Sequence, residues 1–480
     1  MIDLLNNLLN SDEEPSAPNN CRILYLCSLY EHHLTDLGNA RHFIARFGQQ
    51  VRYVPSQGWF LFDGIRWRLD VSDQILALAH ASIQSYYEEA RNFTNSDDDL
   101  CTHLLKHAER SESLPRLTAL LQLARTLPNV TIPHTRFDAD PCLLTVLNGT
   151  LDLRTQTLQP HNPEHYITRL IPVNYDPGAR SALWDAFLAR FTDHSPTLQQ
   201  FLQRAIAYSL SGHTGKGICF LLTGPGQAAQ QFFLSTLRAL FGDYASYLPA
   251  LRQKYLTPSL SGARIATIPA HAFLSSYDPT ALATLIDASP LPIPQASPSS
   301  PIYQSQARLW FSAPDLPPLP EALSYLRTRI ILLPITLSLP DREVFQLSQQ
   351  LLEMLPAILA WAVQGYTFWS NEGLQPPDAV LAASASYQDE QDGLASFLEH
   401  CCTVGDDGLT VRAHELYQAY VLWSRTRGTP RLSEYAFSRL ILLRSFRRVR
   451  HASGRLYQGL TLTVPLNQLP TRLHTLESSV

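Results

Sequence analysis

No excess of charge of either sign marks this sequence. Thirty-seven Lys and Arg face 42 Asp and Glu, giving a formal net charge of −5. A uniformly basic protein is excluded, so any nucleic-acid surface must be local. Cysteine pairs are missing too. The seven cysteines are scattered apart from Cys401-Cys402, and no CxxC spacing occurs. That argues against a zinc ribbon or a disulfide scaffold and suits a reduced, cytoplasmic setting. No apolar run reaches the ~18–20 residues of a membrane span. The nearest, LLEMLPAILAWAV (351–363), is interrupted by Glu353 and Pro356, so no membrane partner is expected. The opening MIDLLNNLLNSDEEPSAPNN (1–20) lacks the basic start of a secretory signal and reads as a short helix followed by an acidic tether. Core material is plentiful. At 480 residues, 45% of them hydrophobic and 16% charged, the chain is not disordered and has room for about three domains.

Three compositional blocks follow the tether. The first, 21–200, mixes helical and strand patterns. VSDQILALAHASIQSYYEEARN (71–92) has apolar residues at helical spacing, with Ser72 as the expected cap. GWFLFDGIRWRLD (58–70) reads as two strands around Asp63-Gly64, and CLLTVLNGTLDLRTQTL (142–158) as a hairpin turning at Asn148-Gly149. The second block, 201–340, contains the strand ICFLLTG (218–224), a glycine-containing turn and the helix QFFLSTLRALFG (231–242). Further strands are predicted at 263–270, 307–313 and 329–337. The proline-rich SPLPIPQASPSSP (289–301) is expected to form no regular element. The third block is mainly helical. One helix is predicted over about 344–370, a linker or lid runs to 395, and 396–480 ends in helix, helix and a basic hairpin. That order is expected of a winged helix.

The strand–loop–helix at 218–242 is where a phosphate loop belongs. Such a loop needs glycine for close backbone approach, lysine for the β/γ-phosphates, and serine or threonine for magnesium. The sequence reads Gly224-Pro225-Gly226-Gln227-Ala228-Ala229-Gln230-Gln231. The opening glycines stand, but Ala229, Gln230 and Gln231 fill the Gly, Lys and Ser/Thr positions. The alternative, Gly212-His213-Thr214-Gly215-Lys216-Gly217, precedes its strand and has Gly217 at the hydroxyl position. A magnesium site also needs an acid ending a second strand. ARIATIPA (263–270) ends in Ala270, and between 213 and 320 the only acids are Asp243, Asp278, Asp287 and Asp315. The framework is present and its chemical groups are missing, so no catalytic residue is assigned.

The basic patch lies near the end. Arg425, Arg427, Arg431, Arg439, Arg444, Arg447, Arg448, Arg450 and Arg455 face one acid, Glu434, with Tyr435, Phe437, Phe446 and Tyr457 interleaved. Arginine forks suit phosphate contacts and give salt-dependent nucleic-acid affinity. A solvated helix face is the bland alternative. His32-His33 and the other histidines are assigned structural roles, with no metal site. Asp138 and Asp140 are read as loop-shaping, and Trp59 and Trp67 as hairpin packing with base stacking as the alternative.

HLTDLGNARHF (33–43), VRYVPSQGWFLFDGIRWRLD (51–70), VLNGTLDLRTQTLQPHNPEHYITRLIPVNYDP (146–177), FLQRAIAYSLSGHT (201–214), LPAILAWAVQGYTFWSNEGLQPPDAV (355–380) and FLEHCCTVGDDGLTVRAHELYQAYVLW (397–423) carry a resemblance. Over about 30–465 the chain resembles the phage and plasmid primase-helicases, in which a poxvirus-type N-terminal region precedes a superfamily 3 helicase. The resemblance implies an α/β fold. An α+β primase-helicase-associated domain would span 21–200 and an AAA+-like core 201–340, with a C-terminal winged-helix DNA-binding domain. It also implies ring assembly, possible trans-acting arginines at Arg327 and Arg329, and a sensor position at Ala313 or Pro314. About 30 residues precede the likeness, too few for a primase domain.

The leading expectation is a DNA-binding, helicase-like pseudo-ATPase. It would assemble with itself, as a hexameric ring for example, or with a replication or defence partner, and carry no cofactor. A second reading is an active superfamily 3 helicase using ATP and magnesium through an unusual loop. A third is a protein-interaction subunit of a defence or mobile-element complex that does not bind DNA.

Overall fold

The computed structural model describes residues 34–463 except 56, 93–97, 214–216, 249–259, 261, 270–278, 288–289, 292–302, 314–325, 327, 392, 406–407, 428–433, 444–445 and 452–453. The expected N-terminal helix and tether lie outside the described residues.

The fold is mixed α/β. Its first part is a helical cluster, α1 (Asp36–Phe47), α2 (Gln74–Asn92), α3 (Asp98–Ser111) and α4 (Leu114–Ala124), around the antiparallel sheet β1 (Val51–Val54), β2 (Gly58–Phe62) and β3 (Trp67–Leu69). Phe43, Ile83, Tyr86, Leu104 and Leu120 fill the helical core. Trp67, 1% exposed, packs against Phe137 and Tyr166. The start of α2 corrects the sequence expectation. Asp70, not Ser72, caps it. The Asp70 carboxylate accepts from the N–H groups of Ser72, Gln74 and Ile75 at 3.2, 3.0 and 2.8 Å. Asp73 at φ 56° turns the chain so that those donors converge.

The 142–158 hairpin forms as β4 (Leu143–Val146) and β5 (Gly149–Asp152), and gains an unforeseen third strand, β6 (Thr157–Gln159). Every residue of β6 is exposed, so no apolar alternation announced it. Helices α5 (Ala182–Phe191) and α6 (Pro196–Leu210) follow. Ser181 and Ser195 cap them through Trp184 N–H and Leu198 N–H, and Pro196 opens α6, where a missing donor costs nothing.

The centre is a parallel sheet of β7 (Cys219–Thr223), β8 (Ala245–Tyr247), β9 (Ile265–Pro269), β12 (Arg308–Ala313) and β13 (Ile330–Pro334), in the spatial order β13-β7-β12-β9-β8. Its strands read as continuous apolar runs because both faces are covered. Phe220, Leu222, Trp310 and Leu333 face one core, and Cys219, Leu221, Leu309, Phe311 and Leu332 the other. The first core runs from Cys142 to Val380, across the compositional boundaries at 200 and 340. It takes in α7 (Gln227–Phe241) and three helices beyond the sheet. Between β9 and β12 lie α8 (Pro279–Ile286) and the two-residue strands β10 (Pro290–Leu291) and β11 (Tyr303–Gln304). The proline-rich stretch thus contributes one short strand, which was not expected. Proline is tolerated at the start of an edge ladder.

The single helix expected over 344–370 is two, α9 (Asp341–Gln349) and α10 (Leu351–Glu372), broken at Gln350 (φ −95°, ψ 1°). By length and composition α10 could cross a membrane, although Glu353 and Pro356 interrupt it. Its apolar window is 56% buried in the protein, with Ile358, Leu359, Ala362 and Val363 fully enclosed. That is the signature of a core helix. Next come α11 (Asp378–Gln391), α12 (Gly393–Cys401), β14 (Cys402–Val404), β15 (Thr410–Arg412), α13 (Ala413–Thr426), α14 (Glu434–Leu443), β16 (Arg447–His451), β17 (Gly454–Gln458) and β18 (Leu460–Leu462). The order is helix, strand, strand, helix, helix, then three strands. The sheet is β15-β17-β16, and the core of Phe397, Leu416, Tyr420, Phe437 and Tyr457 is separate from the others.

Candidate functional site

Strand order locates a crevice before any residue identity is considered. The chain leaves β7 for the far edge at β8, returns through β9 to β12, then crosses to β13 on the other side of β7. In an open parallel sheet, ligands sit outside the carboxyl ends of strands at such a reversal. The 224–231 turn occupies that point, between β7 and the amino end of α7. The ends of the neighbouring strands flank it, with Thr223 in register with Ala313 and Pro334.

The side chains there do not resemble a triphosphate cradle. Gln230, at the lysine position, is fully buried. Its Nε2 donates to the Gly224 carbonyl at 3.1 Å, and its Oε1 has no partner. Glutamine thus keeps a hydrogen bond inside the loop while supplying no charge. Gln231 is exposed, and its Nε2 donates to the Ser312 hydroxyl of β12 at 2.8 Å. Ala229 is buried and adds no polar group. Both retained glycines have a local explanation. A Cβ on Gly224 would collide with the Ile335 carbonyl oxygen, and one on Gly226 with the Leu337 carbonyl oxygen. Gly224 also sits at φ 112°, a region costly for other residues. The segment after β13 therefore presses carbonyl oxygens against the turn, tied down by Ile335 N–H on the Thr223 carbonyl at 2.8 Å. Pro225 is exposed and Gln227 begins α7.

Both described acids between 213 and 320 are engaged elsewhere. Asp243 is ion-paired with Arg66 of the N-terminal sheet region, and Asp287 with Arg329. Ala270, Asp278, Pro314, Asp315 and Arg327 lie outside the described residues. Arg329, a predicted interface arginine, thus has a partner in its own chain. Among the described residues of the turn, the lysine position holds the buried Gln230 and the hydroxyl position holds Gln231, and the Ile335 and Leu337 carbonyl oxygens lie close against the two glycines.

The basic surface is described in part. Arg425 and Arg427 at the end of α13 are exposed, as are Arg447 and Arg448 of β16 and Arg455 of β17. Arg450 lies directly across from Arg455 in the ladder. Arg431 and Arg444 fall outside the described residues, and of Arg439 and Arg450 only the backbone is described. The turn between β16 and β17 is also undescribed.

Other expectations resolve simply. Asp138 accepts from Thr168 N–H at 2.9 Å and Asp140 from Cys142 N–H at 2.9 Å, so both shape loops. Trp67 donates its indole N–H to the Pro163 carbonyl at 2.8 Å and is sealed, which leaves it no base to stack on; Trp59 packs edge-on against Tyr53. Two histidine pairs stand four apart, His103 with His107 and His161 with His165. Among the described residues no group of three metal-binding side chains forms. One cluster went unread in the sequence. Burial raises the Glu89 carboxyl to about 7, with Arg46 opposing and Glu88 reinforcing. Glu89 lies 3.7 Å from His42, whose Nε2 also meets the Ser85 hydroxyl at 2.9 Å. It sits on a helical face with apolar neighbours, and periodicity does not reveal such an inward carboxylate.

Comparison with known proteins adds one decisive finding. Residues 40–204 match the family described as D5 N terminal like. The match covers 165 of the 480 residues. Over that segment the match agrees with the primase-helicase resemblance read from the sequence. Solved structures with a similar course include "The A form apo structure of NrS-1 C terminal region-CTR(305-718)", at 9% identity and TM-score 0.45, covering 90% of this chain and all of that one. "The apo structure of NrS-1 C terminal region (305-718)" is similar at 8% identity and TM-score 0.43, covering 88% and 98%. Likeness at this level transfers neither residue roles nor activity. No curated protein matches the chain.

Proposed function

We propose that this chain is a helicase-like replication protein of phage or plasmid type whose nucleotide crevice no longer turns over triphosphate. It acts in the cytoplasm as a DNA-binding scaffold or recruiter that assembles with itself or with a replication partner. One observation carries the reading: Gln230 is fully buried, with its amide closed on the Gly224 carbonyl where a phosphate-binding cation would stand. Phosphoryl transfer depends on positioned cations at the β/γ-oxygens, and a neutral amide turned into the loop supplies none.

The parallel sheet with a strand–loop–helix at its reversal supports an AAA+-like superfamily 3 core. The order α12, β15, α13, α14, β16, β17 supports a winged helix, with the basic β16–β17 hairpin as its wing. The exposed Arg447, Arg448 and Arg455 supply the phosphate contacts. Self-assembly, as a ring for example, comes from the family resemblance alone. The test is calorimetric titration of the full chain with Mg-ATP, alongside a phosphate-release assay with and without single-stranded DNA. Neither binding heat nor release is expected. Turnover that disappears on substitution within 224–231 would overturn the reading in favour of an active helicase.

A further inference from the structure

The amino-terminal edge of the parallel sheet, opposite the 224–231 turn, holds a cluster that the reading above does not use. Parallel strands place all their amino ends on one side. The residues leading into β7, β9 and β12 therefore meet there: Gly212 and His213, then Arg264, then Gln306 and Arg308. Arg308 N–H donates to the Arg264 carbonyl at 2.8 Å, which fixes the two positions side by side. Both arginines are buried, at 1% and 3% exposure. A guanidinium so enclosed ordinarily faces an anion. Among the described residues no ion pair includes Arg308. Its terminal nitrogens donate to the main-chain carbonyls of Gln306, at 3.4 Å, and His213. Its Nε has no partner, and neither does the Gln306 side-chain oxygen. Among the described residues, its full positive charge is hydrogen-bonded to partial charges only. Arg264 also reaches main-chain oxygens, those of Pro141 at 2.6 Å and Asp140 at 3.3 Å. Gly212 lets the Arg264 guanidinium approach closely, since a Cβ there would make it shift.

The rim is accessible and carries the other half of a nucleotide-binding chemistry. Arg154 is 48% exposed at its side chain and paired with Asp140 at 2.6 Å. His213 is exposed and Trp369 half-buried, with ring centroids 5.8 Å apart. Trp369 lies 5.1 Å from Tyr208, over whose ring the Arg308 guanidinium sits at 4.3 Å. The His213 imidazole is held below its usual pKa, first by burial and then by Arg264, Arg154 and Arg308, with Asp140 opposing. Three arginines thus act on the ring against the Asp140 carboxylate. Arginine for phosphate beside an accessible aromatic ring for a base is the pairing that holds nucleoside phosphates.

We propose that this edge is a second nucleic-acid site, in which Arg154 and Arg308 take a backbone phosphate and Trp369 with His213 stacks a base of a single strand. Asp140 and Asp152, at 2.6 and 3.6 Å from Arg154, are the carboxylates whose place such a phosphate takes. The site is independent of the β16–β17 hairpin.

The test uses the full chain carrying Arg447→Gln, Arg448→Gln and Arg455→Gln, so that the hairpin contributes little. Fluorescence anisotropy follows a labelled oligothymidylate, with thymidine monophosphate as competitor. Residual strand binding is expected, and adding Trp369→Leu or Arg154→Gln should weaken it about tenfold, the size of one base stack removed. Melting curves check that these rim variants remain folded, and Arg308→Gln serves as a third variant. Competition by the monophosphate as strong as by the strand would assign the same chemistry to a free nucleotide and support the site. The proposal is overturned if the hairpin variant binds neither probe, or if both rim variants bind as tightly as their parent.

Discussion

Replacing Gln230 by lysine restores the missing cation at the one place where its consequences can be calculated. The side chain is fully enclosed, so an ammonium there loses its hydration. Burial of that degree depresses a lysine pKa by about 2–3 units, a cost of roughly 3–4 kcal/mol at neutral pH. A charge-assisted bond to the Gly224 carbonyl, in place of the neutral one at 3.1 Å, returns about 1–2 kcal/mol. The orphaned Oε1 also disappears. Without nucleotide, Q230K should therefore be less stable by about 1–2 kcal/mol. The sign is that of a depressed base: the destabilisation is complete below the folded-state pKa and fades as pH rises towards about 10.4. If the new cation recruits Mg-ATP, a ligand at about a hundredfold over its Kd adds about 2.7 kcal/mol and more than reverses the deficit. Thermal melts with and without Mg-ATP separate the cases. A large shift in the wild type would refute the premise that the crevice has lost its ligand. A Q230K chain more stable than wild type in plain buffer would refute the burial argument.

Three further outcomes follow from the geometry. Neutralising Arg447, Arg448 and Arg455 together should flatten the dependence of DNA affinity on salt, by about 0.9 in log–log slope for each phosphate no longer neutralised; a slope unchanged in a gel-shift titration would remove the hairpin from the DNA surface. Gly226→Ala should cost about 1–3 kcal/mol and expose the 335–338 segment to protease, because the added methyl meets the Leu337 carbonyl oxygen; an unperturbed melt would show that the segment yields freely. Glu89, with its carboxyl raised to about 7, stabilises the fold fully below pH ~4.5 and loses that contribution as pH rises to about 7, roughly 2–3 kcal/mol in all. Glu89→Gln should abolish this slope between pH ~4.5 and about 7 in denaturant titrations, and persistence of the slope would place its origin elsewhere.

Local patterns carried much of the fold. The β7–turn–α7 unit, the 58–69 and 142–152 hairpins and the closing helix–helix–hairpin stand where apolar period and turn residues put them, because each is specified by neighbours in sequence. Features set by distant packing were hidden. Ser72 is a good capping residue by type, yet Asp70 wins because Asp73 adopts a left-handed turn. The break at Gln350 lies between two apolar helices, where the period does not change. At the crevice, glutamines at the lysine and hydroxyl positions were legible as residue types. That Gln230 folds back on Gly224, and that Ile335 and Leu337 oxygens require both glycines, depends on how the chain returns after β13. The arginine pair at the opposite edge stayed invisible because Arg264 and Arg308 are 44 positions apart in sequence and meet only through strand order.

The most direct measurement is Mg-ATP turnover by the wild-type full chain in the presence of single-stranded DNA, compared with the same chain carrying Gly226→Ala. Phosphate release at background in both is expected. Release by the wild type that vanishes in the variant would contradict the proposed loss of catalysis at Gln230 and Gln231.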